Sequence, residues 1–388
     1  MQTFCQLSLW WNIDYLKSQT SPHFFYYPAE MMCNKGFNVE ILTKLYKNAN
    51  EKNFEEYNRF RVIRFPQYPI KFNLSLFKYM VKKDYSLIHS HTIGPTEDYV
   101  PWLISKLKNT PMVFNLHSAS LLYSKNNSSL FAKMLRKGME IRNSETNVFI
   151  AFTNYQAKEF EDIGIKNIKI IPHGIEPDVF KVEKDPKIID KYSLKDNNIL
   201  YMADMRPPKG QLLLVKSMPK ILENFPDTML LLIGRAYSRS EKQYRDLLLS
   251  KIDEMGLKNN IKLLNAFNPF EVSKDELIQL YLLSDVFAFP TLTELAPLVL
   301  LEAMASETPV VATDLPYIRE ILQNGEAGIL IDRTQNNFEN KIIKLLDDSN
   351  LRNKLIKNGK SAIKNNYNLN LIKNQYYELY KDLINKKL

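Results

Sequence analysis

The sequence predicts an α/β protein made of two domains, each with a parallel sheet, and three observations support this. Short β-branched or aromatic runs alternate with longer helical patterns almost from end to end, which is typical of successive β-α-β units. This alternation begins afresh near residue 198. At 388 residues, the chain is too long for one ordinary core and suits two domains of roughly 150–200 residues each.

The predicted strands fall into two groups separated by a polar segment. The first group is TFCQLSLW, FNVEILT, FRVIRFP, SLIHSH, PMVFNLH, NVFIAFT and IKIIPHG, and the second is NILYMAD, TMLLLIG, IKLLNAF, DVFAFPT, TPVVAT and AGILI. Between them, EPDVFKVEKDPKIIDKYSLKDNN is charged and contains prolines without a clear period, and we interpret it as a linker. We therefore expect Rossmann-like domains over residues 1–182 and 183–368, followed by a closing helix over 369–388.

Composition and charge argue against several classes of protein. The sequence contains no run of about 18 uncharged apolar residues, so we expect no membrane-spanning helix. The start MQTFCQLSLW lacks the basic region of a signal peptide, so we expect a cytoplasmic protein. Cys5 and Cys33 have no metal-type spacing, and we expect both to be reduced thiols. The net charge of +9 comes without a helix-turn-helix, zinc-finger or RNA-binding motif, so we expect no nucleic-acid partner.

Two glutamates flank most of the apolar run in ELAPLVLLEAMASETPVVATD. Proline is tolerated in the first helical turn, so Pro297 predicts a helix that begins just after Glu294 and carries Glu302. Free N–H groups at such a helix start, including those of Leu298 and Val299, suit a phosphate, and a carboxylate on each side suits sugar hydroxyls. Periodicity leaves the alternative open that one glutamate caps the helix and the other is solvated.

Further candidate residues directly follow predicted strands: DMRPPKG follows NILYMA, and His117 ends PMVFNLH. Open α/β sheets bind ligands at the carboxyl ends of their strands, so these positions are candidates for a binding site. Arg206 and Lys209 suit a diphosphate, the arginine through its planar fork and the lysine as a point charge. Two alternatives remain open: Arg206 and Lys209 could be solvated surface residues, and His117 could be a structural histidine.

The stretch FAFPTLTELAPLVLLEAMASETPVVATDLPYIREIL resembles the Glu-x7-Glu region of the family 4 glycosyltransferases. The pieces IIPHGIEPDVF, YMADMRPPKG, FPDTMLLLIG and LIQLYLLSDVFAFP follow that family's order and spacing, so the resemblance covers about residues 165–335. It implies a GT-B fold, with two Rossmann-like domains facing across a cleft, and retention at the anomeric carbon. The C-terminal domain would bind the nucleotide sugar, the N-terminal domain the acceptor, and the last helix would pack back on the N-terminal domain.

The resemblance also implies a role for each candidate residue. Glu294 would hold hydroxyls of the transferred sugar, Glu302 the ribose and Lys209 the diphosphate. The other residues implied in catalysis or donor binding are Arg206, His117, Gly234, Pro297, Leu298 and Val299. Many relatives have an arginine where this chain has Asp204, so Arg206 would reach the diphosphate from a shifted position. The glycine pair that many relatives carry after the first strand is also missing.

The resemblance leaves alternatives for the activity. They are a catalytically silent GT-B subunit that binds a partner transferase, and a sugar-nucleotide epimerase. The chain has no Asp-x-Asp motif and no His/Cys cluster, so we expect no metal and no cofactor besides the nucleotide-sugar substrate.

Two segments, 71–83 and 125–142, combine apolar side chains with several lysines and arginines. This combination is typical of a surface that attaches to an anionic membrane, here the inner face. Attachment would bring the site to a lipid-linked saccharide, and a glycan is the other acceptor we expect. The alternative is that both segments are helices packed on the first sheet with solvated lysines.

Overall fold

The computed structural model describes residues 2–8, 26–45, 53–57, 59–66, 68–92, 98–116, 129–130, 133, 137, 147–268 and 271–386. These residues form two compact units. The first contains the residues up to Gly174 together with those from Leu369 onward, and the second contains Ile175–Asn368. Across the described ranges, no helix combines the length and the apolar character that crossing a membrane requires.

The first unit is built on a sheet of eight described strands in the spatial order β3-β4-β2-β1-β5-β6-β7-β8. The strands are β1 Thr3–Ser8, β2 Asn38–Leu45, β3 Phe54–Tyr57, β4 Phe60–Pro66, β5 Leu87–Thr92, β6 Met112–Leu116, β7 Asn147–Ala151 and β8 Ile168–Ile170. The helices described before Gly174 are α1 Tyr26–Asn34, α2 Pro69–Met80, α3 Tyr99–Leu107 and α4 Asn154–Asp162. All strands predicted for the first half of the chain are confirmed.

The sequence prediction missed β3. Its four residues, FEEY, contain two successive glutamates and do not alternate as a half-buried strand would. β3 pairs antiparallel with β4 at the edge of a sheet whose other strands are all parallel. A carboxylate oxygen of Glu55, on β3, lies 3.1 Å from the guanidinium of Arg64, on β4, and the two form an ion pair. The side chain of Arg64 is almost fully buried. The ion pair between the strands therefore explains why a glutamate occurs in β3, which the local sequence pattern does not.

The second unit carries a parallel sheet of six strands in the order β11-β10-β9-β12-β13-β14. The strands are β9 Asn197–Met202, β10 Thr228–Ile233, β11 Ile261–Leu264, β12 Val286–Phe289, β13 Val310–Thr313 and β14 Ile329–Ile331. The helices are α5 Pro186–Tyr192, α6 Gln211–Asn224, α7 Arg239–Glu254, α8 Lys274–Leu282, α9 Leu298–Ala305, α10 Pro316–Ile321, α11 Gln335–Asp347 and α12 Ser349–Ala362. This strand order is that of a Rossmann sheet, and all six predicted strands are confirmed.

Local sequence explains how the second unit forms. All six residues of β10, TMLLLI, are buried, as expected for a central strand covered by helices on both faces. Helices α7 and α8 each begin with a capping box, in which a serine and the glutamate three residues later satisfy each other's backbone N–H groups. The serines are Ser238 and Ser273.

The two units divide after Gly174 rather than after residue 182 as predicted. The N–H of Ile175 donates to the carbonyl of Tyr367 (2.8 Å), which ties the start of this segment to the second unit. The segment interpreted as a linker contains a 3-10 helix, Pro177–Phe180, and α5. That interpretation was wrong because the few apolar residues of this segment, although widely spaced, are buried in the second core: Phe180, Ile188 and Tyr192.

The chain ends in α13, Leu369–Asn385, which packs in the first unit through a buried polar cluster. Burial lowers the pKa of His89 to about 3, so its ring is neutral. The Tyr380 hydroxyl therefore donates to Nδ1 of His89 (2.6 Å), and Nε2–H of His89 donates to Oδ1 of Asn115 (2.9 Å). The Asn115 amide in turn donates to the hydroxyl of Tyr376 (2.8 Å). Two tyrosines of α13 thus complete the hydrogen bonds of β5 and β6.

We expect Tyr380→Phe to destabilise the first unit by about 1–3 kcal/mol, because it leaves Nδ1 of buried His89 without this donor. Trp102 lies in this unit and residues 175–368 contain no tryptophan, so tryptophan fluorescence during urea unfolding reports on the stability of the first unit. Tyr377→Phe on the same helix is the control, with an expected change below about 0.5 kcal/mol. Equal effects of the two variants would contradict this role of Tyr380.

Candidate active site

The candidate site lies in the second unit, where the strand order of the sheet reverses. β9 and β12 are parallel neighbours, with Ile199 paired to Val286. The strands after β9 continue the sheet on one side, and those after β12 continue it on the other. A crevice forms at the carboxyl ends of two such strands, and it is the usual ligand site of open α/β sheets. The loop after β9 carries Lys209, and the loop after β12 carries Glu294.

Close backbone packing brings these two loops together. Pro207–Lys209 forms a 3-10 turn, and Gly210 follows it with a φ of 88°. A Cβ at Gly210 would lie 2.3 Å from the carbonyl oxygen of Pro290, which begins the second loop. Only glycine fits both this φ and this approach. The N–H of Leu292 also donates to the carbonyl of Pro208 (2.8 Å), so the backbones of the two loops are joined directly.

Buried side chains fix the Lys209 loop from below. The Nε2 amide of fully buried Gln211 donates to the carbonyl of Asp204 (2.8 Å). The hydroxyl of Tyr201, on β9, donates to the carbonyl of Lys209 (3.0 Å). Both ends of the loop are therefore held by hydrogen bonds from residues that belong to regular structure. The backbone position of Lys209 does not depend on a ligand.

Lys209 and Glu294 form an ion pair between Nζ and Oε1. Their side chains are only 20% and 15% exposed, so the pair is largely shielded from water. Burial raises the pKa of Glu294, and the ammonium of Lys209 opposes that rise. Nζ of Lys209 also lies 3.5 Å from the carbonyl of Thr293. The structure thus brings together two residues that the sequence placed on different loops.

Helix α9 begins at Leu298 rather than directly after Glu294. Pro297 is its N-cap, with extended backbone angles, so the prediction that Pro297 lies in the first turn was wrong by one position. Its ring fixes φ at a value that the N-cap also accepts, so the residue type did not distinguish the two positions. The first N–H groups of a helix have no acceptor within it, and here they belong to Leu298 and Val299.

Glu302 lies in the middle of α9 and is 6% exposed. Its Oε2 accepts a hydrogen bond from the hydroxyl of Tyr281, on α8 (2.8 Å). The alternative that this glutamate is a solvated surface residue is therefore excluded. Glu294 precedes the N-cap and pairs with Lys209, so the structure does not support a simple capping role either.

The other candidates have different surroundings. Arg206 is half-exposed, and its guanidinium is held by Asp204 (2.7 Å) and Glu241 (3.0 Å). Gly234 follows β10, and a Cβ there would lie 2.0 Å from the carbonyl oxygen of Ala203, so this glycine allows the two strand ends to approach. His117 lies outside the described residues.

Three residues of this neighbourhood were not predicted from the sequence: Tyr281, Gln211 and Glu241. The capping box of α7 was visible in SRSE, but nothing local indicated that Glu241 also binds Arg206. Tyr281 and Gln211 resemble ordinary helix residues in the sequence, since their partners are distant in the chain or are backbone groups.

The described residues of the site include a cation and a largely shielded carboxylate on the loops after β9 and β12, the start of α9, and a buried carboxylate within α9. A cation beside free N–H groups suits a phosphate, and carboxylates suit sugar hydroxyls. Among the described residues, no group of three or more His, Cys, Asp or Glu side chains is placed to hold a metal ion.

Two family models match this chain. The model described as Glycosyl transferases group 1 matches residues 184–362, and the model described as Glycosyltransferase Family 4 matches residues 24–179. The chain is a family 4 glycosyltransferase. The first match falls within the second unit and includes Lys209, Glu294 and Glu302, so the candidate site lies in the part of the enzyme that this model describes.

Curated relatives of this glycosyltransferase are similar along most of their length. The UDP-Gal:alpha-D-GlcNAc-diphosphoundecaprenol alpha-1,3-galactosyltransferase of Escherichia coli is 24% identical over 329 residues, covering 81% of this chain and 80% of that protein. The phosphatidyl-myo-inositol mannosyltransferase of Mycobacterium tuberculosis is 24% identical over 311 residues, covering 78% of this chain and 75% of that protein.

Solved structures show the fold of the glycosyltransferase. Sucrose-phosphate synthase from Thermosynechococcus elongatus superimposes with a TM-score of 0.80 at 21% identity, over 100% of both chains. An Anabaena protein in complex with UDP-glucose gives 0.77 at 18% identity, over 98% of this chain and 100% of that one. The fold is GT-B, with two Rossmann-like domains in one chain, as the sequence predicts.

Proposed function

We propose that this glycosyltransferase moves a sugar from a nucleoside diphosphate sugar to a lipid-linked or glycan acceptor, with retention at the anomeric carbon and without a metal. The observation that carries the proposal is the Lys209–Glu294 pair, beside the start of α9 and at the strand-order reversal. The Anabaena complex with UDP-glucose supports the donor class. Relatives named for a diphosphoundecaprenol-linked and a phosphatidylinositol substrate support a lipid-linked acceptor.

Each charged group has a role as the diphosphate leaves. Departure builds negative charge on the oxygen that bridged phosphate and sugar, and Lys209 and the N–H groups at the start of α9 would stabilise it. Preorganised charge of this kind is usually the largest single contribution to catalysis. Glu294 would accept hydrogen bonds from hydroxyls of the transferred sugar, and Glu302 from those of the ribose.

The proposed reaction needs no protein base to remove the proton of the acceptor hydroxyl. The acceptor hydroxyl oxygen forms a bond to the anomeric carbon as the bond from that carbon to the diphosphate oxygen breaks. The hydroxyl proton passes to the departing diphosphate oxygen. Because the acceptor attacks the face that the diphosphate leaves, the configuration is retained. Lys209 supplies positive charge that a divalent cation would otherwise bring to the diphosphate.

Arg206 would contribute less than Lys209 to this stabilisation. Its guanidinium already binds two carboxylates, those of Asp204 and Glu241, and it is half-exposed to solvent. Solvent and both carboxylates reduce the field that it exerts on a diphosphate. A catalytically silent subunit and an epimerase are not favoured, because the relatives that match most of the chain are named as transferases.

We expect Lys209→Ala to lower the rate of transfer about 10²-fold, because a stabilising group at the developing anion is lost. Arg206→Ala is the matched control, with an expected loss below about tenfold. A thermal-shift screen against UDP, GDP, ADP and dTDP first identifies the base, since ligand binding raises the unfolding midpoint. Release of the nucleoside diphosphate from the matching nucleotide sugar is then measured in EDTA.

A normal rate for Lys209→Ala would place the diphosphate elsewhere, and loss of wild-type activity in EDTA would contradict the metal-free scheme.

We also propose that α2 attaches the enzyme to an anionic membrane. Its buried face holds Phe72, Leu76 and Met80, whereas Ile70 and Leu74 on the opposite side are 84% and 54% exposed. Exposed lysines flank this apolar stripe, and residues 69–83 contain no acidic residue. The lysines are Lys71, Lys78 and Lys82. Of the basic residues in segment 125–142, only Lys133 and Lys137 belong to the described residues.

Each basic residue near an anionic bilayer contributes about 1 kcal/mol to binding, and inserted apolar side chains add to it. We expect the wild type to co-sediment with anionic vesicles at low salt and to be released by reversing Lys71, Lys78 and Lys82 to Glu. The control reverses three exposed lysines of the second unit, Lys354, Lys357 and Lys364, with the same change in net charge. If the two triple variants sediment equally, α2 is not the attachment site.

A further inference from the structure

Tyr281 occupies a position that connects the core of the second unit with the candidate site. It lies near the end of α8 and is completely buried. Its ring packs against Phe287 of β12 (5.7 Å between centroids) and against Phe180 (6.1 Å). Its hydroxyl reaches the other way and donates to Oε2 of Glu302 (2.8 Å). A rigidly packed aromatic ring thus presents one hydrogen-bond donor to a buried carboxylate.

The direction of this hydrogen bond is fixed by the chemistry of its partners. Burial, together with the nearby charge of Glu302, raises the pKa of Tyr281 well above its ordinary value. The phenol therefore keeps its proton and acts as the donor. A hydrogen bond to a charged acceptor is about twice as strong as one between neutral groups. The contact is therefore strong enough to orient the carboxylate.

The backbones of both partners are tied to the turn between α9 and β13. The hydroxyl of Thr308 donates to the carbonyl of Tyr281 (2.7 Å), and the hydroxyl of Ser306 donates to the carbonyl of Glu302 (2.9 Å). The two hydroxyl oxygens lie 3.1 Å apart. The turn therefore holds the backbones of Tyr281 and Glu302, while the Tyr281 hydroxyl joins α8 directly to the Glu302 side chain on α9.

We propose that Tyr281 is a positioning residue for ribose recognition, because it fixes the orientation of the Glu302 carboxylate that receives the ribose hydroxyls. This inference rests on the proposed function, in which Glu302 binds the ribose. A carboxylate held in place before binding loses little side-chain freedom when the nucleotide arrives. Without the tyrosine hydroxyl, the carboxylate would have to be ordered at that moment, so recognition of the ribose would weaken.

Tyr281→Phe removes the hydroxyl and keeps the ring that packs in the core. Calorimetry measures the Kd of UDP, GDP and ADP, and then that of the 2′,3′-dideoxy analogue of the nucleotide that binds. The ratio of the two Kd values reports the contribution of the ribose hydroxyls and does not depend on the folded fraction. We expect Tyr281→Phe to weaken binding of the ribonucleotide about three- to tenfold and to leave binding of the dideoxy analogue nearly unchanged.

A double-mutant cycle tests whether Tyr281 acts through Glu302. In the Glu302→Ala background, Tyr281→Phe should change the ratio no further, because the carboxylate that it orients is absent. Tyr244→Phe is the control: it removes another buried tyrosine hydroxyl of the same unit, one that accepts from the N–H of Leu212 (3.2 Å). We expect it to leave the ratio unchanged.

The outcomes separate this inference from the proposed function. If the wild type binds none of the three ribonucleoside diphosphates, the inference fails because no ribose is recognised, and the proposed function fails as well if dTDP does not bind either. If the wild type discriminates against the dideoxy analogue and Tyr281→Phe discriminates equally, the donor site stands and the inference is overturned. An effect of Tyr281→Phe that persists in the Glu302→Ala background also overturns it.

Discussion

The ion pair between Lys209 and Glu294 is the contact on which the candidate site depends. It joins the loops that follow β9 and β12, the two strands between which the sheet order reverses. Two further contacts also require the two loops to lie close together. They are the approach of Gly210 to Pro290 and the hydrogen bond between Leu292 and Pro208. A charge without a partner would be destabilising where water has so little access, so formation of the ion pair favours this arrangement of the loops.

The same pair gives the site its chemical character. A lysine and a glutamate that bind each other are already oriented and largely shielded from water, so less reorganisation would be needed when a donor enters. The diphosphate would take the positive charge, and a sugar hydroxyl would take the carboxylate. In the donor site that we propose, Glu302, held by Tyr281 on the neighbouring helix, would extend this preorganisation along the nucleotide. Stabilisation by fixed charges in a shielded site is the mechanism that we propose for these contacts.

The sequence predicted the strands of both sheets except β3, and it predicted that Lys209 and Glu294 follow strands of one parallel sheet. Their meeting follows from geometry, since carboxyl ends of neighbouring parallel strands share an edge. Two contacts, that of Arg206 with Glu241 and that of Glu302 with Tyr281, were not predictable, because Glu241 and Tyr281 lie on distant helices and leave no periodic signal. The segment with α5 was misjudged because its buried residues are too sparse to show a period.

The most direct test of this account is the effect of Glu294→Gln on kcat and on the Kd of the nucleoside diphosphate. The substitution keeps the size of the side chain and removes the charge that faces Lys209 and the transferred sugar. The account predicts that kcat falls about 10²-fold while Kd changes less than about threefold, because Lys209 still binds the diphosphate and Glu302 the ribose. A variant whose kcat and Kd both stay within about threefold of the wild type would contradict it.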